Sequence, residues 1–262
     1  MDTRPPHPLH AAIGLFTVVP VPPMPVDRAT AQRAILALPW VGLLVGLAAA
    51  AASVIVDAVG GGRLLAAIAA LGVLAAVTGE MHLDGLADTA DGLGSRKPGP
   101  EALTIMRASD IGPMGVAALV LVLLADAAAL TSPRLGQHPG DLALTAVVAA
   151  LPMVGRVPAL VATLAPPARP DGFGALFARE VPRGAIIVDS AAVAAVTFVL
   201  GTLARGPLSG GVLVLAALLA WAVAAAWQRH LTRRLSGTTG DTYGSLIEVA
   251  QLAFVVLAAL AF

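Results

Sequence analysis

The residues whose types and spacing best suit chemistry lie between Glu80 and Gly92, in the run E-M-H-L-D-G-L-A-D-T-A-D-G. On a helix that turns about 100° per residue, Asp84, Asp88 and Asp91 fall within about 60° of one another, and Glu80 widens this arc by about 20°. Carboxylates this close repel one another, and a bound cation removes the repulsion. Clustered carboxylate oxygens suit Mg²⁺, which proteins usually bind together with substrate phosphates. The pattern therefore predicts a Mg²⁺ site with these four acids as ligands.

A solvated helix end that simply begins a loop is the simpler explanation of this run. It does not account for three aspartates on one face directly after a long apolar segment, so the metal site is favoured. His82 points away from the acidic arc on a regular helix. It is a candidate general base if the helix is distorted or a neighbouring element brings the substrate to it, and a structural, hydrogen-bonded histidine is an equal alternative.

A second polar motif, G-T-T-G-D-T-Y-G, occupies Gly237 to Gly244, and Glu248 follows it. Glycines beside threonine and aspartate form tight loops that present backbone N–H groups to a phosphate at the start of a helix. The motif therefore predicts a substrate or phosphate site that includes Gly240, Thr242 and Glu248. An ordinary helix N-cap is the alternative. Glu248, several residues inside an apolar helix, favours function because acids inside a membrane are costly.

Two further polar features carry weaker signals. In the run M-R-A-S-D-I-G, Arg107 and Ser109 are placed to bind a phosphate, although a polar connection rich in turn residues explains the run as well. Arg156 lies inside an apolar segment and needs a partner. That partner is a substrate phosphate or a buried acid, for which the sequence offers Asp126 and Asp189.

The composition sets the class of the protein. Hydrophobic residues make up 58% and charged residues 12% of the 262 positions, whereas soluble proteins carry about 25% charged residues. Several apolar runs exceed the roughly 20 residues needed to cross a bilayer. We expect one all-α, polytopic membrane domain over residues 1–262, with a short re-entrant or interfacial segment at 9–20. About seven transmembrane helices are predicted, at 36–59, 64–83, 113–130, 142–164, 185–204, 208–228 and 244–262.

The distribution of charge predicts an orientation. The numbers of Lys and Arg residues in the successive segments outside the spans are three, one, three, one, three, one and three. The positive-inside rule predicts this alternation for seven spans with a cytoplasmic N-terminus. Both acidic motifs then lie on the cytoplasmic side of the inner membrane. The formal net charge of zero gives no general attraction to nucleic acid, and the absence of cysteine excludes disulfides and thiolate chemistry.

The first motif resembles the signature of the cobalamin synthase family, the adenosylcobinamide-GDP ribazoletransferases. Its string is H-L-D-G-L-A-D-T-A-D-G, and other similar strings occur in the family's order over nearly the whole chain. They are P-V-P at 20–22, L-P-W-V-G-L-L-V-G at 38–46, I-M-R at 105–107, I-G at 111–112 and G-D-T-Y-G at 240–244. The chain departs from the common family pattern at Ala108, Asp110 and Val18, where an acid, a basic residue and an arginine are usual.

The resemblance implies a membrane enzyme of late cobalamin synthesis. Such an enzyme joins adenosylcobinamide-GDP to α-ribazole, or to its 5′-phosphate, and releases GMP with Mg²⁺. A ribose hydroxyl attacks the phosphate attached to cobinamide in this picture. A corrinoid is large, so we expect a wide cavity lined by both acidic motifs. A homo-oligomer is left open.

The resemblance also assigns roles to residues that match the family's motifs. The implied metal ligands are Asp84, Asp88 and Asp91. The implied phosphate or nucleotide ligands are Arg107 and the loop 240–244. The implied base is His82 or Asp241.

Two rival functions are weaker. A phospho-alcohol transferase of lipid synthesis would act on a CDP-activated or prenyl substrate, but the chain lacks the D-G-x-x-A-R and G-x-x-x-D-x-x-x-D pattern of membrane CDP-alcohol phosphotransferases. A cation transporter would place paired acids near the bilayer midplane, often in repeated halves. Here the main cluster lies near one face, and the sequence shows no internal repeat.

Overall fold

Long helices form where the apolar runs predict them. The computed structural model describes residues 6–136, 141–179 and 181–262, and Arg4, which enters the charge count above, lies outside them. The described chain is helical apart from turns and one isolated bridge, which confirms the predicted all-α class. Its helices are α1 Pro8–Phe16, α2 Arg28–Ala58, α3 Gly62–Thr78, α4 Met81–Gly94, α5 Gly99–Ile105, α6 Pro113–Leu130, α7 Ala143–Ala162, α8 Arg183–Arg205, α9 Pro207–Leu235 and α10 Gly240–Ala261.

The number of membrane-crossing helices agrees with the prediction. Within the described ranges, six helices are long and apolar enough to cross a membrane, and the number is seven if the bent pair α3 and α4 forms one span. The segment 9–20 corresponds to α1, which has nine residues and packs against α2. A helix of that length is too short to cross a bilayer.

The chain bends by 89° between α3 and α4. Gly79 and Glu80 both adopt left-handed conformations, with φ of 58° and 60°, and the Glu80 N–H donates to the Ala75 carbonyl at 2.9 Å. This pattern is the usual helix-ending turn with glycine at the left-handed position. The predicted span 64–83 is therefore wrong at its end, because the chain turns at Gly79. α4 therefore leaves the direction of α3, and only α3 runs along the line of the predicted span.

Side-chain contacts to backbone carbonyls secure the turns at the two ends of the bundle. At the end away from α4, Arg63 donates to three carbonyls in the segment 130–136 that follows α6. At the α4 end, Arg234 donates to the Lys97 carbonyl at 3.3 Å and connects the end of α9 to the turn after α4. The polar motifs at 80–92, 106–112 and 237–244 all lie at this second end.

The helices α7 and α10 form the centre of the bundle. Every residue of α7 from Leu151 to Leu160 is buried. α10 packs against α4, α6, α7 and α9. The final helix thereby carries the second polar motif to the first.

Candidate active site

The two acidic motifs meet where α4 crosses α10. A Cβ atom on Gly85 would lie 2.7 Å from the Asp241 carbonyl oxygen, and one on Gly244 would lie 2.9 Å from the His82 carbonyl oxygen. The two backbones are therefore in direct contact, which small residues permit. This crossing brings Asp84 and Asp88 towards Asp241, although the two motifs lie far apart in the sequence.

A cavity of about 450 Å³ opens beside this crossing. His82 and Asp84 from α4 and Asp241 from α10 line it. Aromatic side chains line it as well, including Phe173 and Tyr243. One cavity contacts both acidic motifs, as predicted, but its volume lies within the usual range of small-molecule pockets, about 300–1,000 Å³, and does not show the predicted width. The combination suits a ligand that carries phosphate at one end and a flat apolar group at the other.

The aspartates form a negatively charged cluster. The pKa of Asp88 is raised to about 7, chiefly because the carboxyl group is partly buried. The charges of Asp84, Asp241 and Asp91 raise it as well, in that order, and Arg169 opposes them. Each carboxylate would lose this repulsion if a cation entered the cluster.

The donor chemistry of the cluster fits a hard divalent cation. The available ligands are carboxylate oxygens on two helices, and Mg²⁺ prefers oxygen while keeping several of its waters. In the part of the chain that the structure describes, no three acidic or histidine side chains are close enough to surround one ion. Substrate phosphates and water would therefore have to complete the coordination.

Asp91 has a structural task that the sequence did not reveal. Its two carboxylate oxygens accept hydrogen bonds from the backbone N–H groups of Gly112, at 2.7 Å, and Gly115, at 2.9 Å. These N–H groups belong to the start of α6, where helical donors lack partners within the helix. Asp91 thus caps α6 and ties it to α4.

We expect Asp91→Ala to lower the stability of the protein by about 1–3 kcal/mol, because two partly buried donors lose their acceptor. Asp91→Asn retains one acceptor oxygen and should lose less. Thermal unfolding of the detergent-solubilised variants measures both effects. Asp84→Ala, at an exposed position of the same helix, is the control. Equal melting temperatures for the two alanine variants would contradict the capping role.

Glu80 does not extend the acidic face of α4. It precedes the helix in a left-handed conformation, so the predicted helical arc that included it is wrong at this residue. Its exposed side chain instead borders an apolar groove of about 1070 Å³ between α3 and α6, which Asp84 also lines. The structure does not test whether Glu80 binds a metal.

The start of α10 combines capping and cavity lining. Thr239 accepts a hydrogen bond from the Thr242 N–H at 3.2 Å, and the Thr242 hydroxyl accepts one from the Thr239 N–H at 2.8 Å. This reciprocal pair is a capping arrangement, which confirms the N-cap alternative for these threonines. Thr242 is buried by this role. Gly240 and Asp241 line the cavity instead.

Two arginines lie near the aspartate cluster. The Arg169 Nη1 atom is 3.5 Å from an Asp241 carboxylate oxygen. The Arg107 Nη2 atom is 3.3 Å from Asp171, and both of those side chains are exposed. Ser109 is exposed in the same turn as Arg107. Sequence reasoning missed Arg169, because in the run P-P-A-R-P-D-G it carries only the signal of a charged turn residue.

A second, internal cavity contains the other predicted residues. It has a volume of about 30 Å³, and His82, Arg156 and Glu248 line it together with Asp126. Arg156 is 1% exposed and donates to the Pro152 carbonyl at 2.8 Å. Of the two acids predicted as partners of Arg156, Asp126 lines this cavity.

Asp189, the other acid predicted as a partner of Arg156, does not line the internal cavity. Its carboxylate instead accepts a hydrogen bond from the Trp40 indole at 2.7 Å. His82 lines both the internal cavity and the 450 Å³ cavity. Of these two cavities, Arg156 and Glu248 line only the internal one.

Comparisons with known proteins agree on one family. A family model described as cobalamin-5-phosphate synthase matches residues 8–259. A protein of Frankia casuarinae named adenosylcobinamide-GDP ribazoletransferase is 41% identical, with 95% of this chain and 93% of the relative covered. Proteins of the same name from Bradyrhizobium diazoefficiens and Stutzerimonas stutzeri are 38% and 36% identical, with 96% and 95% of this chain and 92% and 96% of the relatives covered. No solved structure matches the chain.

Proposed function

Because this chain belongs to the cobalamin-5-phosphate synthase family, we propose that it is an adenosylcobinamide-GDP ribazoletransferase embedded in a membrane. The reaction joins adenosylcobinamide-GDP to α-ribazole, or to its 5′-phosphate, and releases GMP. The single observation that supports this chemistry best is the meeting of two acidic motifs at one cavity, where Arg169 lies 3.5 Å from the lining residue Asp241. Diphosphate transfer needs both a site for cations and positive side chains for phosphate oxygens.

We propose Mg²⁺ as the cofactor, held by Asp84 and Asp88 with Asp241 close by. A bound Mg²⁺ would neutralise charge on the diphosphate and on the departing GMP. Asp91 belongs to the same acidic face, but both its oxygens already accept backbone hydrogen bonds. Its contribution to a metal would have to come from the remaining lone pairs.

The protein's own groups account for binding and proton transfer. The aromatic side chains of the cavity would receive an apolar ring, while Arg107 and Arg169, which lie on loops at this end of the bundle, would bind phosphate oxygens. His82 and Asp241 line the same cavity, so either can accept the proton of the attacking ribose hydroxyl. A nucleophile bound there lies next to the acidic cluster.

We further propose that this end of the bundle faces the cytoplasm. Arg107, Arg169 and Arg234 lie at this end, while single arginines such as Arg63 and Arg205 mark the other. The positive-inside rule then assigns the cytoplasmic side to the end that carries the aspartates. Substrates made in the cytoplasm would reach the cavity directly.

Turnover by the purified protein tests this function. The detergent-solubilised chain receives adenosylcobinamide-GDP and either α-ribazole or its 5′-phosphate, with Mg²⁺ or with excess EDTA, and the corrinoid product is identified by mass. We expect product only with Mg²⁺. A folded protein that forms no product with either acceptor would contradict the proposal. The same preparation would then be tested with CDP-activated lipid substrates.

A further inference from the structure

Arg169 occupies the place of a cation beside the acidic cluster. Its Nη1 atom lies 3.5 Å from Asp241 Oδ2, and the two side chains are only 13% and 24% exposed. The charge of Arg169 also acts on Asp88. In this structure Arg169 therefore supplies positive charge to the same carboxylates that a divalent cation would use.

The backbone on either side of this contact is fixed. The segment that carries Arg169 pairs with the loop before α10: the Ala168 N–H donates to the Thr238 carbonyl at 2.8 Å, and the Thr238 N–H donates to the Pro166 carbonyl at 2.9 Å. Gly237 permits this close approach, because a Cβ atom there would lie 2.5 Å from the Ala168 nitrogen. The base of the arginine side chain is thus held in register with Asp241.

The guanidinium group itself is held less firmly. A strong ionic hydrogen bond between guanidinium and carboxylate spans about 2.7–2.9 Å and is often bidentate, whereas Arg169 makes one contact to Asp241 at 3.5 Å. Its other terminal nitrogen, Nη2, donates to the Leu103 carbonyl. Because its backbone is fixed and its one contact to a carboxylate is long, the arginine can change its acidic partner without movement of the helices.

We propose that Arg169 is a resident counter-cation that exchanges its partner during the catalytic cycle. In the empty enzyme it neutralises Asp241 and its neighbours. When a divalent cation and a nucleoside-diphosphate-activated substrate enter, the cation replaces it at the carboxylates and its guanidinium group binds the diphosphate. This inference rests on the proposed function and adds a substrate ligand that the sequence did not predict.

Arg107 provides a matched comparison. It reaches the same end of the bundle, but its partner Asp171 is 73% exposed and lies outside the acidic cluster. Arg107 can bind phosphate without competing with a metal. The two arginines should therefore behave alike towards a diphosphate and differently towards a divalent cation.

Binding measurements on Arg169→Gln and Arg107→Gln in the detergent-solubilised full chain test the proposal. Calorimetry with Mn²⁺ alone should show a gain in affinity of about two- to fivefold for Arg169→Gln, because a partly exposed competing charge has been removed. Arg107→Gln should leave Mn²⁺ affinity unchanged. With GDP and Mn²⁺ together, Arg169→Gln should weaken GDP binding by about tenfold or more, because a charged hydrogen bond is lost.

The proposal requires Arg169→Gln to bind Mn²⁺ more tightly and GDP more weakly than the wild type. Unchanged or weaker Mn²⁺ binding by Arg169→Gln would overturn the role as counter-cation, and so would a lack of Mn²⁺ binding by both this variant and the wild type. Unchanged GDP binding would overturn the role as diphosphate ligand. Arg169→Lys, which keeps the charge, should bind Mn²⁺ like the wild type and serves if the glutamine variant fails to fold. These binding results do not depend on corrinoid turnover, so a failure of the proposed function would be seen separately in the product assay.

Discussion

Replacing Asp88 by asparagine is expected to lower Mg²⁺-dependent turnover by about 100-fold or more. Changes to residues that only support metal ligands already cost about 10–100-fold, and Asp88 is itself a proposed ligand together with Asp84. Asparagine keeps the size of the side chain and removes its charge. Turnover and Mn²⁺ affinity of the purified variant measure the effect.

Thermal unfolding separates this loss from misfolding. Asp88 is partly buried beside like charges, so its removal should leave the melting temperature unchanged or raise it. Asp57→Asn, at an exposed position of α2 near the opposite end of the bundle, is the matched control and should retain activity. A variant at Asp88 with normal turnover and normal metal affinity would refute the metal-site assignment.

Gly85→Val is expected to abolish activity and to destabilise the protein by about 1–3 kcal/mol or more. A Cβ atom at this position would lie 2.7 Å from the Asp241 carbonyl oxygen, and forcing extra atoms into a packed contact has costs of this size. The side chain would push α4 away from α10 and separate Asp84 and Asp88 from Asp241. Product formation and thermal unfolding report the two consequences.

Gly211→Ala is the control for this variant. Gly211 is also helical, but no atom lies within 4 Å of a Cβ built there. Alanine favours helix over glycine by up to about 1 kcal/mol, so stability should be unchanged or higher and activity retained. If Gly85→Val were as active as Gly211→Ala, the close crossing would not be what assembles the site.

The helical fold could be predicted because apolar length and helix type are local properties of the sequence. The break at Gly79 was missed because the predicted span was extended over Met81 and Leu83, and hydropathy does not record a left-handed turn. The same local break removed Glu80 from the face it shares with Asp84 on an ideal helix. Periodicity arguments hold only while the helix continues.

The reactive residue types were also visible in the sequence, but several of their contacts were not. Asp84, Asp88 and Asp241 could be selected by spacing and motif. The contact between Arg169 and Asp241 joins residues 72 positions apart, and no pattern in the sequence links them. The bond from Gly112 to Asp91 spans 21 positions, so the capping task of Asp91 depends on tertiary structure in the same way.

The position of α10 has a consequence for the synthesis of this protein. Arg156 lies on α7, whereas Glu248, its neighbour in the internal cavity, lies on α10, which is made later. While the ribosome is still producing α8 and α9, the arginine has entered the membrane without this acid, an arrangement that hydrocarbon disfavours. Until then Asp126, on the earlier helix α6, is the acid of this cavity that is already present. The catalytic cavity, which Asp241 of α10 lines, can assemble only after α10 has been synthesised.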